Sequence, residues 1–242
     1  VFAVASQNQD EIHKPFGGVI PELACRNHTL RLLPLIDQVF NATKLSYKDL
    51  DGIAVTHKPG LVGALLVGIT TAKTLALTWN LPVIGVDHLE GHLHAGFLKD
   101  DSYQPPSGFD YPFLGLCVSG GHTSLYDVKA VGSQKILGRT LDDAAGEAFD
   151  KFGKLLGFGY PAGAAIDRAA RGGDAKAFAF PKALMKDKKN LDFSFSGLKT
   201  AGLLAIKDQN QIDDKTKANL VASYQEAIVD ALVEKLHRAY LK

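Results

Sequence analysis

The pattern of hydrophobic and polar positions along the chain predicts a mixed α/β fold. Short apolar runs at 53–56, 82–86 and 113–118 are typical of strands, and an almost uncharged stretch at 64–79 predicts a buried helix. The order strand, helix, strand in the first half of the chain predicts a parallel βαβ unit with a right-handed crossover.

Turn residues and helix boundaries predict the remaining elements. Residues 119–122 read Ser-Gly-Gly-His between two strand-like runs and predict a hairpin turn. Pro21 near a helix start and Pro34 inside the same helix predict a kink or a break at Pro34. Further helices are predicted from Asp142 or Asp143 to Leu156, near Gly163, from Ser196 as a cap, and over 215–241, and the weak alternation at 1–6 predicts the end of a strand.

Residues 100–112 are the best candidate for a linker between two domains. They include Ser102, Pro105, Pro106, Ser107, Gly108 and Pro112, which disfavour helix and strand interiors. We therefore predict a domain boundary in this segment.

The composition is that of an ordinary soluble globular protein, with 46% hydrophobic and 22% charged residues among 242. The formal net charge is only +1, so a nucleic-acid partner needs a local basic patch. The one dense basic cluster is Lys182, Lys186, Lys188 and Lys189, which is either a solvated loop or a contact surface for RNA phosphates.

Cysteine usage and hydropathy indicate the kind of cellular compartment in which the protein occurs. Cys25 and Cys117 form no CxxC pair, which argues for a reducing compartment and against a disulfide framework. Gly, Lys or Thr interrupts every long apolar run, so we predict no membrane span. The chain starts Val1-Phe2-Ala3, without Met and without a visible signal peptide, which suggests a fragment or a processed chain.

Two histidines after the run at 82–86 are candidate metal ligands. If the chain is helical there, His88 and His92 leave the same face, because one helical turn takes about 3.6 residues. Two imidazoles so spaced often bind one metal, although the spacing also arises by chance. Asp87 either caps the helix or orients an imidazole. The zinc-protease pattern is not present, since Leu89 rather than Glu follows His88.

Three further features each admit a structural and a functional interpretation. Gly60 and Gly63 either expose amides that bind an anion or only permit close packing. The turn at 119–121 is either an anion-binding nest of amides or an ordinary hairpin. Asp150 is either solvated or directed at a ligand.

Six segments taken together resemble one protein family. They are 17–24 (GGVIPELA), 59–68 (PGLVGALLVG), 88–92 (HLEGH), 118–123 (VSGGHT), 142–151 (DDAAGEAFDK) and 193–200 (FSFSGLKT). In this order, across nearly the whole chain, they resemble the tRNA N6-adenosine threonylcarbamoyltransferases of the bacterial TsaD type.

The resemblance implies an α/β fold of the actin-like and Hsp70-like (ASKHA, ribonuclease-H-like) type, with two lobes and a ligand cleft between them. The first lobe is then 1–100, the linker 101–112 and the second lobe 113–242. The implied reaction transfers the threonylcarbamoyl group from threonylcarbamoyl-adenylate to N6 of the adenosine beside the anticodon, in tRNAs that read codons beginning with A.

The resemblance also implies the site residues. His88 and His92 would bind one divalent metal, either ferrous iron or zinc. The implied substrate-binding residues are Cys117, Val118, Ser119, Gly120, Gly121, Asp150, Gly163 and Asp167. At Cys117 the family usually has Leu or a similar residue, so contact there is expected through the backbone.

The implied partners are tRNA, a TsaB-type paralogue and a TsaE-type P-loop ATPase, and the implied location is cytoplasmic. The family's acidic opening motif does not occur in the chain. A later GG-V-x-A-N-like motif, with the aspartate that completes the metal site, does not occur either. We therefore expect the chain as given to be a fragment with impaired or no activity.

Other functions stay open. A non-catalytic scaffold of the same fold would pair with a catalytic relative, although both histidines argue against it. A metalloprotease is suggested by the histidine pair but lacks the Glu directly after His88. A sugar or acetate kinase of the same superfamily would need phosphoryl transfer from ATP.

Overall fold

The chain divides into two units, Val1–Phe109 and Asp110–Lys242, in a computed structural model that describes residues 1–100, 102–209 and 211–242. The division falls within the segment predicted as a linker, of which Asp101 lies outside the described residues. The lobe boundaries at 100 and 113 stay a prediction.

The first unit contains the predicted parallel βαβ arrangement. Its helices are α1 (Asp10–His13), α2 (Pro21–Thr43), α3 (Val62–Trp79) and α4 (His88–His94), its strands are β1 (Ile53–Lys58) and β2 (Val83–Asp87), and short 3-10 turns lie at Lys14–Phe16, Tyr47–Asp49 and Ala95–Phe97. The two strands run parallel, with Ile53 opposite Val83, and α3 connects them. Residues 1–6 form no strand, because β1 and β2 pair only with each other in the described part of this unit.

Helices α2 and α3 approach each other closely at a glycine. A Cβ atom added at Gly63 would overlap the sulfur of Cys25, which favours the packing interpretation of Gly63. Helix α2 also continues through Pro34, so a break at this residue is contradicted, whereas the alternative of a kink stays a prediction. Proline leaves the carbonyl of Leu30 without its helical donor, but Leu30 is 71% exposed and water can replace that donor.

Helix α3 is far more exposed than its sequence predicts. Its buried residues are Ala72 and Ala76, whereas Leu66 and Leu77 are 56% and 86% exposed. The prediction of a buried helix was wrong because α2 and the two strands cover only one side. Among the described residues, α3 alone is long and apolar enough to cross a membrane, which is weak evidence for a span, since core helices of soluble proteins pass the same test.

The second unit combines an antiparallel sheet with four helices. Its strands are β3 (Phe113–Val118), β4 (Thr123–Ala130) and β5 (Ser133–Arg139), in the order β3-β4-β5, and its helices are α5 (Ala145–Leu155), α6 (Gly163–Ala170), α7 (Ser196–Lys207) and α8 (Asp214–Tyr240). The junction of β3 and β4 at 119–122 confirms the predicted hairpin. Strand β5 was not predicted, because Lys, Gln and Gly interrupt its few apolar residues.

Helices α5 and α8 build the core of the second unit around two aromatic rings. Phe152 and Tyr224 stack with ring centroids 3.8 Å apart, and the Tyr224 hydroxyl donates to the Ala148 carbonyl at 3.2 Å. Burial raises the pKa of the Tyr224 phenol, so this donor keeps its proton. A Cβ atom at Gly202 would press on the Phe152 ring, which places α7 directly against the stack. This core supports the first turn of α5, where the candidate site lies.

Candidate functional site

Helix α4 carries the two predicted metal ligands directly after β2. The carboxylate of Asp87 accepts hydrogen bonds from the amides of Leu89 at 2.8 Å and Glu90 at 3.3 Å, which confirms the capping interpretation. The imidazoles of His88 and His92 lie on one face, with their Nε2 atoms 3.1 Å apart and their ring centroids 4.4 Å apart.

The separation of these nitrogens fits a shared metal ion. Two nitrogens bound about 2.0–2.1 Å from one metal lie roughly 2.8–3.4 Å apart at octahedral or tetrahedral angles. The observed 3.1 Å between His88 and His92 lies within that range. Within the described residues there is no group of three or more His, Cys, Asp or Glu side chains able to hold a metal. The pair therefore fits as part of a ligand set.

Ser119 organises the hairpin turn between β3 and β4. Its amide donates to the His122 carbonyl at 2.8 Å, and its hydroxyl accepts from the amides of Gly121 at 3.3 Å and His122 at 3.0 Å. Among the described residues, no protein acceptor is seen for the amide of Gly120. The Gly120 amide could thus donate a hydrogen bond to a bound anion, whereas the Gly121 amide already donates to the Ser119 hydroxyl.

The first turn of α5 lies against this hairpin turn. The amide of Gly146 donates to the Ser119 carbonyl at 3.1 Å, and the amide of Ala145 donates to the buried hydroxyl of Thr123 at 2.9 Å. A Cβ atom at Gly146 would approach the Ser119 carbonyl to 2.7 Å and the Gly120 nitrogen to 2.8 Å, so a glycine is needed there. The partial positive charge of a helix N-terminus is thereby placed beside the Ser119 turn.

Two of the predicted substrate-binding residues meet at the start of α6. The Asp150 carboxylate accepts a hydrogen bond from the amide of Ala162 at 2.7 Å, and Ala162 immediately precedes Gly163. Asp150 is partly buried, so the purely solvated interpretation of this carboxylate was incomplete. Asp167 lies one turn after Gly163 and pairs with Arg171 at 2.8 Å, with half of its side chain exposed. An exposed pair of this kind is worth about 0–1 kcal/mol and exchanges readily for a ligand.

Cys117 and Val118 form the end of β3, opposite Ser124 and Thr123. Burial raises the pKa of the Cys117 thiol, so it stays protonated and does not act as a nucleophile at neutral pH. Cys117 and Cys25 are both free thiols. Backbone contact is thus the role that the chemistry of Cys117 leaves open.

Asp142 joins two distant segments, and sequence reasoning missed this role. Its carboxylate accepts hydrogen bonds from the hydroxyls of Ser194 at 2.6 Å and Ser196 at 2.8 Å, and from the amides of Phe195 at 2.8 Å and Ser196 at 3.1 Å. Asp142 was predicted as a helix cap, and so was Ser196. Both predictions were wrong because the two side chains bind each other. In the sequence, the only indication of this contact is the presence of an acidic residue and of two serines.

The other candidate cap, Asp143, pairs instead with Lys151. The Lys151 ammonium lies 2.6 Å from Asp143 and 3.0 Å from Glu147, and the hydrogen bond to Asp143 is the main cause of a raised Lys151 pKa. Helix α5 begins at Ala145, with Ala144 as its N-cap and no side-chain cap. Asp143 therefore precedes the helix, whereas Glu147 lies in its first turn, and Lys151 offsets the charge of both carboxylates.

Comparison with known proteins identifies the family. The sequence model of the TsaD family, tRNA N6-adenosine threonylcarbamoyltransferase, matches residues 1–242. A Bdellovibrio bacteriovorus tRNA N6-adenosine threonylcarbamoyltransferase is 49% identical over 240 residues, which are 99% of this chain and 69% of the relative. The corresponding protein of Anaeromyxobacter dehalogenans strain 2CP-C is 55% identical over 231 residues, covering 96% of this chain and 67% of the relative.

The chain belongs to the TsaD family, and its fold is of the two-lobed actin-like α/β class. A third relative, from Syntrophotalea carbinolica, carries the same name and is 48% identical over 233 residues, 96% of this chain and 66% of the relative. The resemblance drawn from the six sequence segments is confirmed.

Proposed function

We propose that this chain transfers the threonylcarbamoyl group from threonylcarbamoyl-adenylate to N6 of the adenosine beside the anticodon of tRNA. The observation that carries the proposal is the family match along all of residues 1–242, together with the names of relatives up to 55% identical. The residues predicted for the site are present in folded surroundings that suit an acyl transfer.

The donor determines what the protein must supply. Threonylcarbamoyl-adenylate is a mixed carbamic–phosphoric anhydride, and AMP is a good leaving group. Attack by the adenosine amine on the carbamoyl carbon forms the new C–N bond and breaks the bond to the phosphate oxygen. AMP leaves with the electron pair and the amine releases one proton, so no protein nucleophile is needed. Catalysis then consists of positioning the amine and stabilising the charge that develops on oxygen. The protonated thiol of Cys117 agrees with this mechanism.

The Ser119 turn and the start of α5 are the groups that we assign to an anionic oxygen of the donor. The Gly120 amide and the N-terminus of α5 lie together, because Gly146 contacts the turn directly. Fixed amides and a helix N-terminus favour negative charge without having to reorganise during the reaction.

Asp150 and Asp167 are assigned to hydroxyl or amine groups of the donor. Asp150 is held by the amide of Ala162 through one oxygen, which leaves its second oxygen as an acceptor. Asp167 exchanges its exposed ion pair with Arg171 for a ligand at little cost. Gly163, between them, lets the ligand approach the backbone of α6.

The transferase is proposed to depend on ferrous iron or zinc held by His88 and His92. The fit is supported by the 3.1 Å separation of their Nε2 atoms. Such a metal supplies Lewis acidity and a template for anionic oxygens when bound. The capping carboxylate of Asp87 fixes the start of α4 and thereby the direction of both imidazoles.

The proposed partners are tRNA, a TsaB-type paralogue and a TsaE-type P-loop ATPase, and the proposed location is cytoplasmic. The substrate follows from the name that the relatives share. The free thiols of Cys25 and Cys117 agree with a reducing compartment.

Transfer of labelled threonine into tRNA tests the proposal. The reaction contains the chain, the threonylcarbamoyl-adenylate synthase, ATP, bicarbonate and the two proposed partner proteins. We expect at least a low level of label in tRNA, above that of a reaction without the chain, and a loss of that label with His88→Ala/His92→Ala. A folded chain that neither transfers label nor binds the labelled donor would contradict the proposal.

A further inference from the structure

We propose that a lysine-bearing loop at residues 182–190, named here the lysine loop, binds the phosphate backbone of the tRNA substrate. This inference rests on the proposed function, because that function makes tRNA the substrate. The proposed contact surface lies outside the candidate site. Of the two interpretations of the basic cluster, a solvated loop or a contact surface for RNA phosphates, we propose the second.

A buried lysine from α8 holds the lysine loop from below. Lys235 has no exposed surface, and its ammonium donates to the carbonyls of Leu184 and Asn190, each at 2.7 Å. Burying a charge costs free energy unless the charged group is hydrogen-bonded. The two carbonyls offset this cost for the Lys235 ammonium. The two ends of the loop are thereby fixed to one point on α8.

Further cations from the C-terminal end of the chain hold the middle of the loop. Arg238 donates to the carbonyls of Met185 at 3.0 Å and Asp187 at 3.1 Å, and Lys242 donates to the carbonyl of Lys189 at 2.9 Å. Leu184 adopts a left-handed backbone conformation with φ of 56°, which costs a residue other than glycine about 1–3 kcal/mol. These hydrogen bonds together constrain the conformation of the loop.

All four lysine side chains of the loop are exposed. Within the described residues, none of the ammonium groups of Lys186, Lys188 and Lys189 forms an ion pair. Lys182 pairs with Asp230 on α8. Counted over 182–190 and 230–242, seven basic residues (Lys182, Lys186, Lys188, Lys189, Lys235, Arg238, Lys242) stand against three acidic ones (Asp187, Asp230, Glu234).

A surface of this kind fits a polyphosphate backbone. The whole chain carries a net charge of only +1, so the excess at the loop is local. Lysine ammonium groups act as point charges that contact phosphates without reading base sequence. The loop also continues directly into Ser194 and Ser196, which Asp142 fixes next to the start of α5. The lysine loop and the Ser119 turn thus belong to the same unit of the chain.

The salt dependence of tRNA binding tests the assignment. The loop variant is Lys186→Gln/Lys188→Gln/Lys189→Gln in the full chain. The control variant, Lys135→Gln/Lys176→Gln/Lys207→Gln, removes the same charge from exposed lysines elsewhere in the second unit. Binding is measured between about 50 and 200 mM salt. We expect the loop variant to bind about tenfold more weakly or worse, with a slope of log affinity against log salt reduced by about 2–3. The control variant is expected to keep most of the affinity and slope.

Two outcomes would overturn the assignment. One is a loop variant that, with an unchanged circular dichroism spectrum, binds tRNA like the control variant. The other is an equal loss of binding to a polyglutamate peptide, which would make the loop a surface for acidic proteins. Transfer of threonine to tRNA separates this test from the proposed function. If the loop variant loses tRNA binding and neither it nor the unaltered chain transfers threonine, only the proposed reaction is contradicted. If the loop variant binds tRNA and transfers threonine like the unaltered chain, only the assignment of the lysine loop is contradicted.

Discussion

The carboxylate of Asp142 and the hydroxyl of Ser196 lie 2.8 Å apart, although 54 residues separate them in sequence. Through this contact the segment before α5 and the first residue of α7 are fixed to each other. The Ser119 turn also contacts α5, through the amide of Gly146. We therefore expect Asp142 to help position the Ser119 turn, which we assign to the donor.

We expect Asp142→Ala to destabilise the protein by about 1–3 kcal/mol, because it leaves the amides of Phe195 and Ser196 without their acceptor. Urea unfolding measures the change. Asp208→Ala is the matched control, since Asp208 is exposed in the same unit and its carboxylate has no hydrogen bond among the described residues. A loss of stability no larger than that of the control would contradict the role given to Asp142.

The stabilisation by Asp142 should depend on pH in a defined direction. Burial opposes its ionisation, but the hydrogen bonds from Ser194, Phe195 and Ser196 outweigh burial and hold its pKa below the ordinary value. A carboxylate with a lowered pKa stabilises the folded state above its unfolded pKa of about 3.9, and this contribution is lost as the pH falls through the folded pKa. We expect the stability difference between the unaltered chain and Asp142→Asn to shrink below about pH 4. The same difference at about pH 3 as at about pH 7 would refute the assignment.

The contact between Gly146 and the Ser119 turn predicts a large effect from one methyl group. Gly146→Ala would place a Cβ atom 2.7 Å from the Ser119 carbonyl, so the turn must move away from α5. We expect a loss of about 1–3 kcal/mol in unfolding free energy and weaker donor binding. Gly197→Ala is the control, since a Cβ atom at Gly197 meets nothing within 4 Å. Equal stability and donor affinity in the two variants would show that the turn does not depend on Gly146.

The histidine pair predicts how metal binding responds to substitution. We expect His88→Ala and His92→Ala each to weaken zinc or ferrous iron binding by about tenfold or more, and the double variant to lose stoichiometric binding. Equilibrium dialysis followed by metal analysis measures this. His28→Ala serves as the control, because His28 is exposed and lies outside the pair. Unchanged metal content in the double variant would place the metal elsewhere.

Local sequence patterns predicted the elements that local physics determines. The strands of the βαβ unit, the hairpin at 119–122, the shared face of His88 and His92, and the long helix α8 all follow from periodicity, turn residues and spacing. Each depends on residues close together in the chain. The family resemblance of the six segments added the predicted site residues.

What the sequence did not predict depends on contacts between distant segments. Asp142 and Ser196 both looked like helix caps, because nothing local shows that they bind each other. The exposure of α3 was missed because apolar periodicity gives no information on how many neighbours cover a helix. In the sequence, Lys235 is indistinguishable from other lysines of an amphipathic helix, because its acceptors, the carbonyls of Leu184 and Asn190, lie far away in the chain.

The nucleosides of the tRNA product show directly whether the chain modifies adenosine beside the anticodon. After incubation of the chain with the donor-forming synthase, ATP, bicarbonate, labelled threonine and tRNA, the tRNA is digested and analysed by mass spectrometry. We expect an adenosine that carries one threonylcarbamoyl group, located beside the anticodon and absent with His88→Ala/His92→Ala. Label at another nucleotide would refute the proposed reaction, and the same product from the double variant would refute the role given to the histidine pair.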